Sequence, residues 1–258
     1  MLSVNAKINR ALQLFSEVNA GYADWQRSNP IQQITECNEE RTSFIVFARF
    51  IVQPETAKWA LICGEVLFDL RCALDHIIYF QALSDSGLDP PASAEKLMFP
   101  ITTSQERFDF AINRGQLTGL KTESINLVRS FQPFVRARIP EEDSLFALQA
   151  LNNIDKHRYL HFAVFSVANT TAELSGLPQG VVKVSINAEP LKNEDWVISF
   201  ETDGPCPGPE GEIRYSLRLG ILEERYRKQA ILSLMKSCID SVIEVNKCFQ
   251  AYQGGANA

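Results

Sequence analysis

The chain has 258 residues, of which 45% are hydrophobic and 22% charged, and its formal net charge is −6. This composition excludes a disordered or fibrous chain and is typical of a globular protein with a sizeable core. The negative charge and the lack of a long Lys/Arg run predict that the protein does not bind DNA non-specifically.

Hydropathy and cysteine usage predict the cellular compartment of the protein. No apolar run is long enough for a membrane helix, and the first residues lack a signal-peptide core, so we expect no membrane association and a cytoplasmic location. The six cysteines form no C-x-x-C pair. They are therefore predicted to be reduced and mostly buried thiols.

The first part of the chain predicts helices and one early hairpin. Apolar residues at helical spacing predict a helix over 3–26, and two strands near 31–37 and 43–52 are joined by a polar turn. The next helix is predicted from 54 to about 83, with a proline at its start. Three further helices are expected near 103–114, 121–130 and 140–158.

The second part of the chain is rich in strand patterns. Four strands are predicted within the β-rich runs 160–168, 180–188, 195–202 and 212–220. A last helix is predicted over 221–250, before a flexible polar tail at 251–258. Whether the early hairpin pairs with the late strands is left open by the sequence.

These elements predict an α+β fold in which a helical layer packs on a mostly antiparallel sheet. The sheet would contain the early hairpin and a late four-strand meander, and the chain would end in a long C-terminal helix. We expect one domain over 1–258, with a weak seam near 159.

Polar residues on the predicted helix 54–83 form a stripe at i, i+4, i+7 and i+11, namely Glu65, Asp69, Cys72 and His76. The stripe is either the wet side of an amphipathic helix or partly enclosed. Arg71 and Asp75 have the spacing of an intrahelical ion pair. Asp75 would either form only that pair, or orient Arg71 while His76 points into a cleft.

A second polar stretch, NNIDKHR at 152–158, follows an apolar helical pattern. Asp155 could accept a hydrogen bond from Arg71 or from an imidazole, and His157 could act as an acid or base near neutral pH. Arg158 could clamp a phosphate or carboxylate. We therefore hypothesise that the two stretches meet across packed helices in one polar network, which is either structural or catalytic.

Familiar catalytic motifs are missing from the sequence. It contains no G-x-S-x-G, phosphate-binding P-loop, G-x-G-x-x-G or H-E-x-x-H pattern. Three histidines and scattered cysteines argue against a closed zinc site, and no cofactor is expected. A divalent-metal site built from Glu65, Asp69, His76 and Asp155 is kept as a minor alternative.

Residues 71–76, RCALDH, resemble the R-x-x-x-x-H motif of HEPN proteins. In catalytic members of that superfamily, Arg and His from paired protomer helices cleave RNA without metal, with the ribose 2′-hydroxyl as nucleophile. The resemblance implies that Arg71 stabilises the phosphorane charge and that His76 is a general acid or base. Residues five apart lie about 140° apart around a helix, so a homodimer would bring the two groups together.

A longer resemblance covers about residues 60–160. The succession GEVLFDLRCALDH, FPI, FQPF and LNNIDKHR resembles an uncharacterised bacterial protein family, which implies no activity by itself.

Two functions follow as expectations. The first is a metal-independent endoribonuclease that binds RNA as a homodimer. Its predicted catalytic residues are Arg71, His76, Asp155 and His157. Its predicted substrate-binding residues are Lys156, Arg158, Asp75 and Asn152. The alternative is a non-catalytic binding or interaction protein in which the Arg/Asp/His cluster is a structural polar network.

Overall fold

The computed structural model of the protein describes residues 2–158, 160–166, 177–209, 213, 217–227 and 229–256. Its helices are α1 (Leu2–Arg27), α2 (Thr56–Ser86), α3 (Gln105–Asn113), α4 (Thr122–Ser130), α5 (Pro133–Arg136), α6 (Ser144–His157) and α7 (Ile231–Ala256). Its strands are β1 (Ile31–Cys37), β2 (Ser43–Phe50), β3 (Phe162–Ser166), β4 (Val181–Ile186), β5 (Asp195–Thr202) and β6 (Leu217–Ile221). The predicted α+β class is confirmed.

The last helix departs from its prediction at both ends. It begins at Ile231 instead of near 221, because β6 runs to Ile221 and a 3-10 turn follows at Glu224–Tyr226. It ends at Ala256, within the predicted tail, whose last two residues lie outside the described part. The ends of two predicted strands, 167–168 and most of 212–216, also lie outside it.

The strands form two antiparallel sheets. One has the order β1-β2-β5-β4, and β3 and β6 make a separate pair. The early hairpin therefore does pair with late strands. Those four late strands do not form one meander, because β4 and β5 extend the hairpin while β3 and β6 pair with each other. The register places Phe44 opposite Phe200, and their rings stack at 4.9 Å.

The chain divides into two compact units. Unit 1 comprises Met1–Val18, Ala60–Leu160 and Leu232–Ala258, and unit 2 comprises Asn19–Trp59 and His161–Ile231. The single domain over 1–258 stays a prediction. Among the described residues, no helix has the length and apolar character needed to cross a membrane.

In unit 2, the end of α1 packs against the hairpin through aromatic side chains. The ring of Trp25 lies 6.3 Å from that of Phe50, and its Nε1 donates to the Val52 carbonyl at 2.9 Å. Tyr22 stacks on Trp25 and meets the buried Trp59 edge-on. These large side chains anchor the helix to the strands.

In unit 1, α2 is a core helix. Its side chains are buried over most of the circumference, and Leu67, Leu70, Leu74 and Ile78 have no exposed surface. A helix that is apolar nearly all round must be enclosed by other elements. Asp69, Arg71 and Gln81 of α2 are consequently buried, so their stability depends on their hydrogen-bond partners.

Candidate functional site

Arg71 and Asp75 both bind the backbone of one distant residue. Arg71 Nη2 donates to Asp75 Oδ1 at 2.7 Å and to the Phe99 carbonyl at 2.7 Å. The Phe99 amide donates in turn to Asp75 Oδ1 at 2.9 Å. The intrahelical pair that the spacing predicts is present, and it also satisfies both polar backbone groups of Phe99, whose side chain is fully buried.

Gln132 likewise hydrogen-bonds to the backbone of the segment that follows Phe99. Its side chain is fully buried, and Oε1 accepts from the amide and hydroxyl of Thr102 at 3.0 and 3.1 Å. Its Nε2 donates to the carbonyls of Pro100 at 2.8 Å and Val128 at 3.1 Å. We call residues 99–102 the pinned segment, because side chains supply hydrogen bonds that a neighbouring strand would otherwise provide.

Burial acts on the charges of this pair in opposite directions. It lowers the pKa of Arg71, against the attraction of Asp75, although a guanidinium stays protonated at neutral pH. It raises the pKa of Asp75, and this is opposed first by Arg71 and then by the Phe99 amide. Removing one partner of such a buried pair costs about 3–5 kcal/mol, because the other charge is left uncompensated.

A cavity of about 370 Å³ lies against the pinned segment. We call it the Arg71 cavity. Arg71 and Gln149 line it, and so does one face of α3 with the C-capping Arg114. Residues of that face occur at i, i+3, i+4 and i+7, namely Arg107, Phe110, Ala111 and Arg114.

One nitrogen of Arg71 is left without a hydrogen-bond partner among the described residues. This atom, Nη1, is buried. A buried donor without a partner costs about 1–3 kcal/mol, so a group that accepted from Nη1 would recover free energy. No aspartate or glutamate is found among the described residues that line the cavity.

His76 lines a different cavity of about 300 Å³, together with Lys7, Arg10 and Asp69. We call it the His76 cavity. Lys7 Nζ lies 2.6 Å from Asp69 Oδ1, and this hydrogen bond raises the pKa of Lys7. The Nδ1 atom of His76 is buried and makes no hydrogen bond to a described residue. Arg71 does not line this cavity, as the angle between positions 71 and 76 on one helix requires.

Asp155 lies where α6 meets α2. A Cβ atom on Gly64 would come within 2.5 to 2.7 Å of the Asp155 carboxyl group, so the glycine makes room for it. Burial raises the pKa of Asp155. Asp155 also lines a third cavity of about 360 Å³ with the exposed His157 and Arg158.

Five of the eight predicted site residues therefore line three separate cavities, with Arg71 in one, His76 in another, and Asp155, His157 and Arg158 in the third. Asp155 meets α2 at Gly64, and the proposed hydrogen bond between Arg71 and Asp155 is not formed, since Arg71 bonds to Asp75 and Phe99. Lys156 is exposed and Asn152 is buried. The catalytic and substrate-binding roles of all these residues stay predictions.

The described residues give the metal alternative no site. No group of three His, Cys, Asp or Glu side chains among them is placed to hold an ion. Asp69 and His76 line one cavity and Asp155 another.

Sequence reasoning missed Arg107, Arg114 and Gln132. The two arginines carry a usable signal, because they flank Phe110 on one helical face where a purely solvated helix would show no aromatic residue. Gln132 carries none, since an isolated glutamine next to a proline is common at a turn. Its role depends on backbone groups 30 residues away.

The comparisons with known proteins give no match: no family model, no curated protein and no solved structure is similar to this chain.

Proposed function

We propose that the protein is a non-catalytic binding protein that takes a small molecule into the Arg71 cavity. The observation that carries the proposal is the use of the Arg71–Asp75 pair. Both side chains hydrogen-bond to the backbone of Phe99, which is part of the cavity wall. The pair thus builds a binding surface.

Geometry favours binding over catalysis for Arg71. A catalytic arginine must direct its donors at the charge that develops in the transition state. Arg71 instead directs Nη2 at two protein acceptors, and His76, its presumed acid or base, lines another cavity. Within one protomer the two residues have no common reacting atom to act on.

The test is a ligand-observed NMR screen of neutral, cationic and anionic fragments against the full chain. We expect hits that are lost in the cavity-filling variant Ala111→Phe and kept in Arg138→Gln, since Arg138 is exposed and is not among the cavity residues. The thermal transition of Ala111→Phe serves as its folding control. The proposal fails if no fragment binds, or if every hit survives Ala111→Phe in a folded variant.

A second candidate is the metal-independent cleavage of RNA, with His76 as general acid or base. Its support is the His76 cavity, in which Arg10 and the Asp69-paired Lys7 lie beside an imidazole whose buried Nδ1 makes no hydrogen bond to a described residue. Such cations could stabilise the charge on a phosphate in the transition state. Arg71 would have to come from a second protomer.

Cleavage of a short RNA, in the presence of a chelator, tests this candidate. Natural protein should cut RNA but not the same strand with a 2′-deoxy nucleotide at the cleavage position, and His76→Ala should lose the activity. His157→Ala is the matched comparison, because His157 is exposed and lines a separate cavity. Activity that survives His76→Ala would come from another site or from a contaminant.

A further inference from the structure

We infer that the Arg71 cavity binds a small organic anion, whose carboxylate or phosphate group meets the guanidinium groups of Arg71, Arg107 and Arg114. The inference rests on the proposed binding function and specifies its ligand class. Three positively charged side chains line one cavity, whereas its described lining includes no carboxylate.

Two of these three charges are not used elsewhere in the part of the chain that the structure describes. Arg107 and Arg114 form no ion pair with any described residue. Of the neighbouring acids on α3, Asp109 accepts a hydrogen bond from Gln105, and Glu106 interacts with Ser104. Asp75 is already engaged by Arg71 and Phe99. Arg107 and Arg114 therefore present unneutralised guanidinium groups at this cavity, and their planar donors match carboxylate and phosphate oxygens.

The buried end of the site is Arg71. Its residue exposure is only 9%, and no described residue hydrogen-bonds to Nη1. Because its Nη2 is fixed by Asp75 and the Phe99 carbonyl, the orientation of the guanidinium is set before a ligand arrives. A preorganised donor loses little conformational entropy on binding, which favours affinity.

The other residues that line the Arg71 cavity favour an anion with an organic, partly apolar part over an inorganic ion. Phe110, Met98 and Ala111 contribute apolar surface, and the Arg114 guanidinium lies 5.7 Å from the centre of the Phe110 ring. A bare inorganic ion would gain nothing from these side chains. The volume lies near the lower end of small-molecule sites, roughly 300–1,000 Å³.

Matched probes test separately whether binding requires the ligand's negative charge and its organic part. The probes are benzoate and phenyl phosphate, their neutral counterpart benzamide, and inorganic phosphate, with dissociation constants measured by calorimetry at low ionic strength. We expect benzoate or phenyl phosphate to bind at least about ten-fold more tightly than benzamide, as charge-assisted hydrogen bonds require. The phenyl-bearing anion should also bind more tightly than inorganic phosphate.

Three variants locate the anion. Arg107→Gln and Arg114→Gln should each weaken the best anion several-fold, and both are surface residues whose replacement should leave the fold intact. Arg138→Gln removes the same charge from an exposed position outside the cavity and should leave affinity unchanged. Equal weakening by all three variants would indicate diffuse surface charge and overturn the inference.

The other outcomes separate the inference from the binding function. If benzamide binds as tightly as the anions and Ala111→Phe abolishes its binding, the cavity binds neutral ligands, so the inference fails and the function stands. If inorganic phosphate binds as tightly as phenyl phosphate, the claim that the ligand carries an organic part is refuted. If neither these probes nor any fragment of the NMR screen binds, both fail.

Discussion

Replacing either member of the Arg71–Asp75 pair should destabilise the protein far more than breaking an exposed pair of the same spacing. The exposed pair is Lys236–Asp240 on α7, also at i and i+4. The side chains of Arg71 and Asp75 are 11% and 30% exposed, against 55% and 56% for the exposed pair. Burial is thus the main difference between the two.

The magnitudes follow from what each replacement leaves behind. Asp75→Ala leaves the buried Arg71 guanidinium without its ion-pair partner and removes the acceptor of the Phe99 amide. We therefore expect a loss of about 3–5 kcal/mol in the free energy of unfolding. Arg71→Ala removes the ion-pair partner of the Asp75 carboxylate and the donor to the Phe99 carbonyl, and we expect a similar loss in the free energy of unfolding. Lys236→Ala should cost about 0.3–0.5 kcal/mol.

Urea titrations of the single and double variants measure these values, provided that the m-value stays constant. Because the two residues share Phe99, the double variant should cost at least about 1 kcal/mol less than the sum of the single variants. Additive losses, or losses as small as that of Lys236→Ala, would refute the structural role of the pair. Arg71 would then be free for a catalytic one.

Three further predictions concern residues around the pinned segment and α6. Gln132→Leu should cost about 1–3 kcal/mol for each buried backbone group left without a partner, which urea denaturation measures. Gly64→Ala should destabilise the natural chain, because its Cβ would meet the Asp155 carboxyl, but stabilise an Asp155→Ala background by about 1 kcal/mol through helix propensity. A stabilised natural chain would contradict this.

Asp155→Asn should raise the thermal transition temperature at pH 7, since the carboxylate has no ion-pair partner among the described residues, is partly buried and lies close to the negative C-terminal end of α6. Its raised pKa makes the folded chain hold more protons than the unfolded chain just above the ordinary value of 3.8, so stability falls as pH rises through that window. The gain should shrink as pH falls through that window and vanish well below pH 3.8; a constant gain would contradict the assignment.

Local periodicity was sufficient for most of the elements. The apolar spacing of α2 and the i, i+4 relation of Arg71 to Asp75 are properties of one helix, so the sequence contains both. The start of α7 was misplaced because β6 and the 3-10 turn that follows it continue an apolar pattern. Strand pairing was left open, since β2 and β5 are joined by contacts across more than a hundred residues.

The candidate site was predicted less completely for the same reason. Arg71, Asp75 and His76 are found from spacing, but the partners of Arg71 are backbone groups of a segment with no periodic pattern. The hydrogen bond hypothesised between Arg71 and Asp155 is not formed, because Arg71 bonds to Asp75 and Phe99. Arg71 and His76 also leave α2 in different directions. Helical geometry alone predicts that separation for one protomer.

The free donor of Arg71 is the strongest reason to regard the pair as more than a structural device. A buried ion pair can often be replaced by apolar residues without loss of stability. Holding Phe99 would not by itself require a guanidinium with an unused Nη1 atom. If the Arg71 cavity binds an anion, one side chain both fixes the wall and contacts the ligand. The Phe99 amide donates a hydrogen bond to Asp75, so ligand binding should then slow hydrogen exchange of this amide. An anion held only at Arg107 and Arg114 would leave that exchange unchanged.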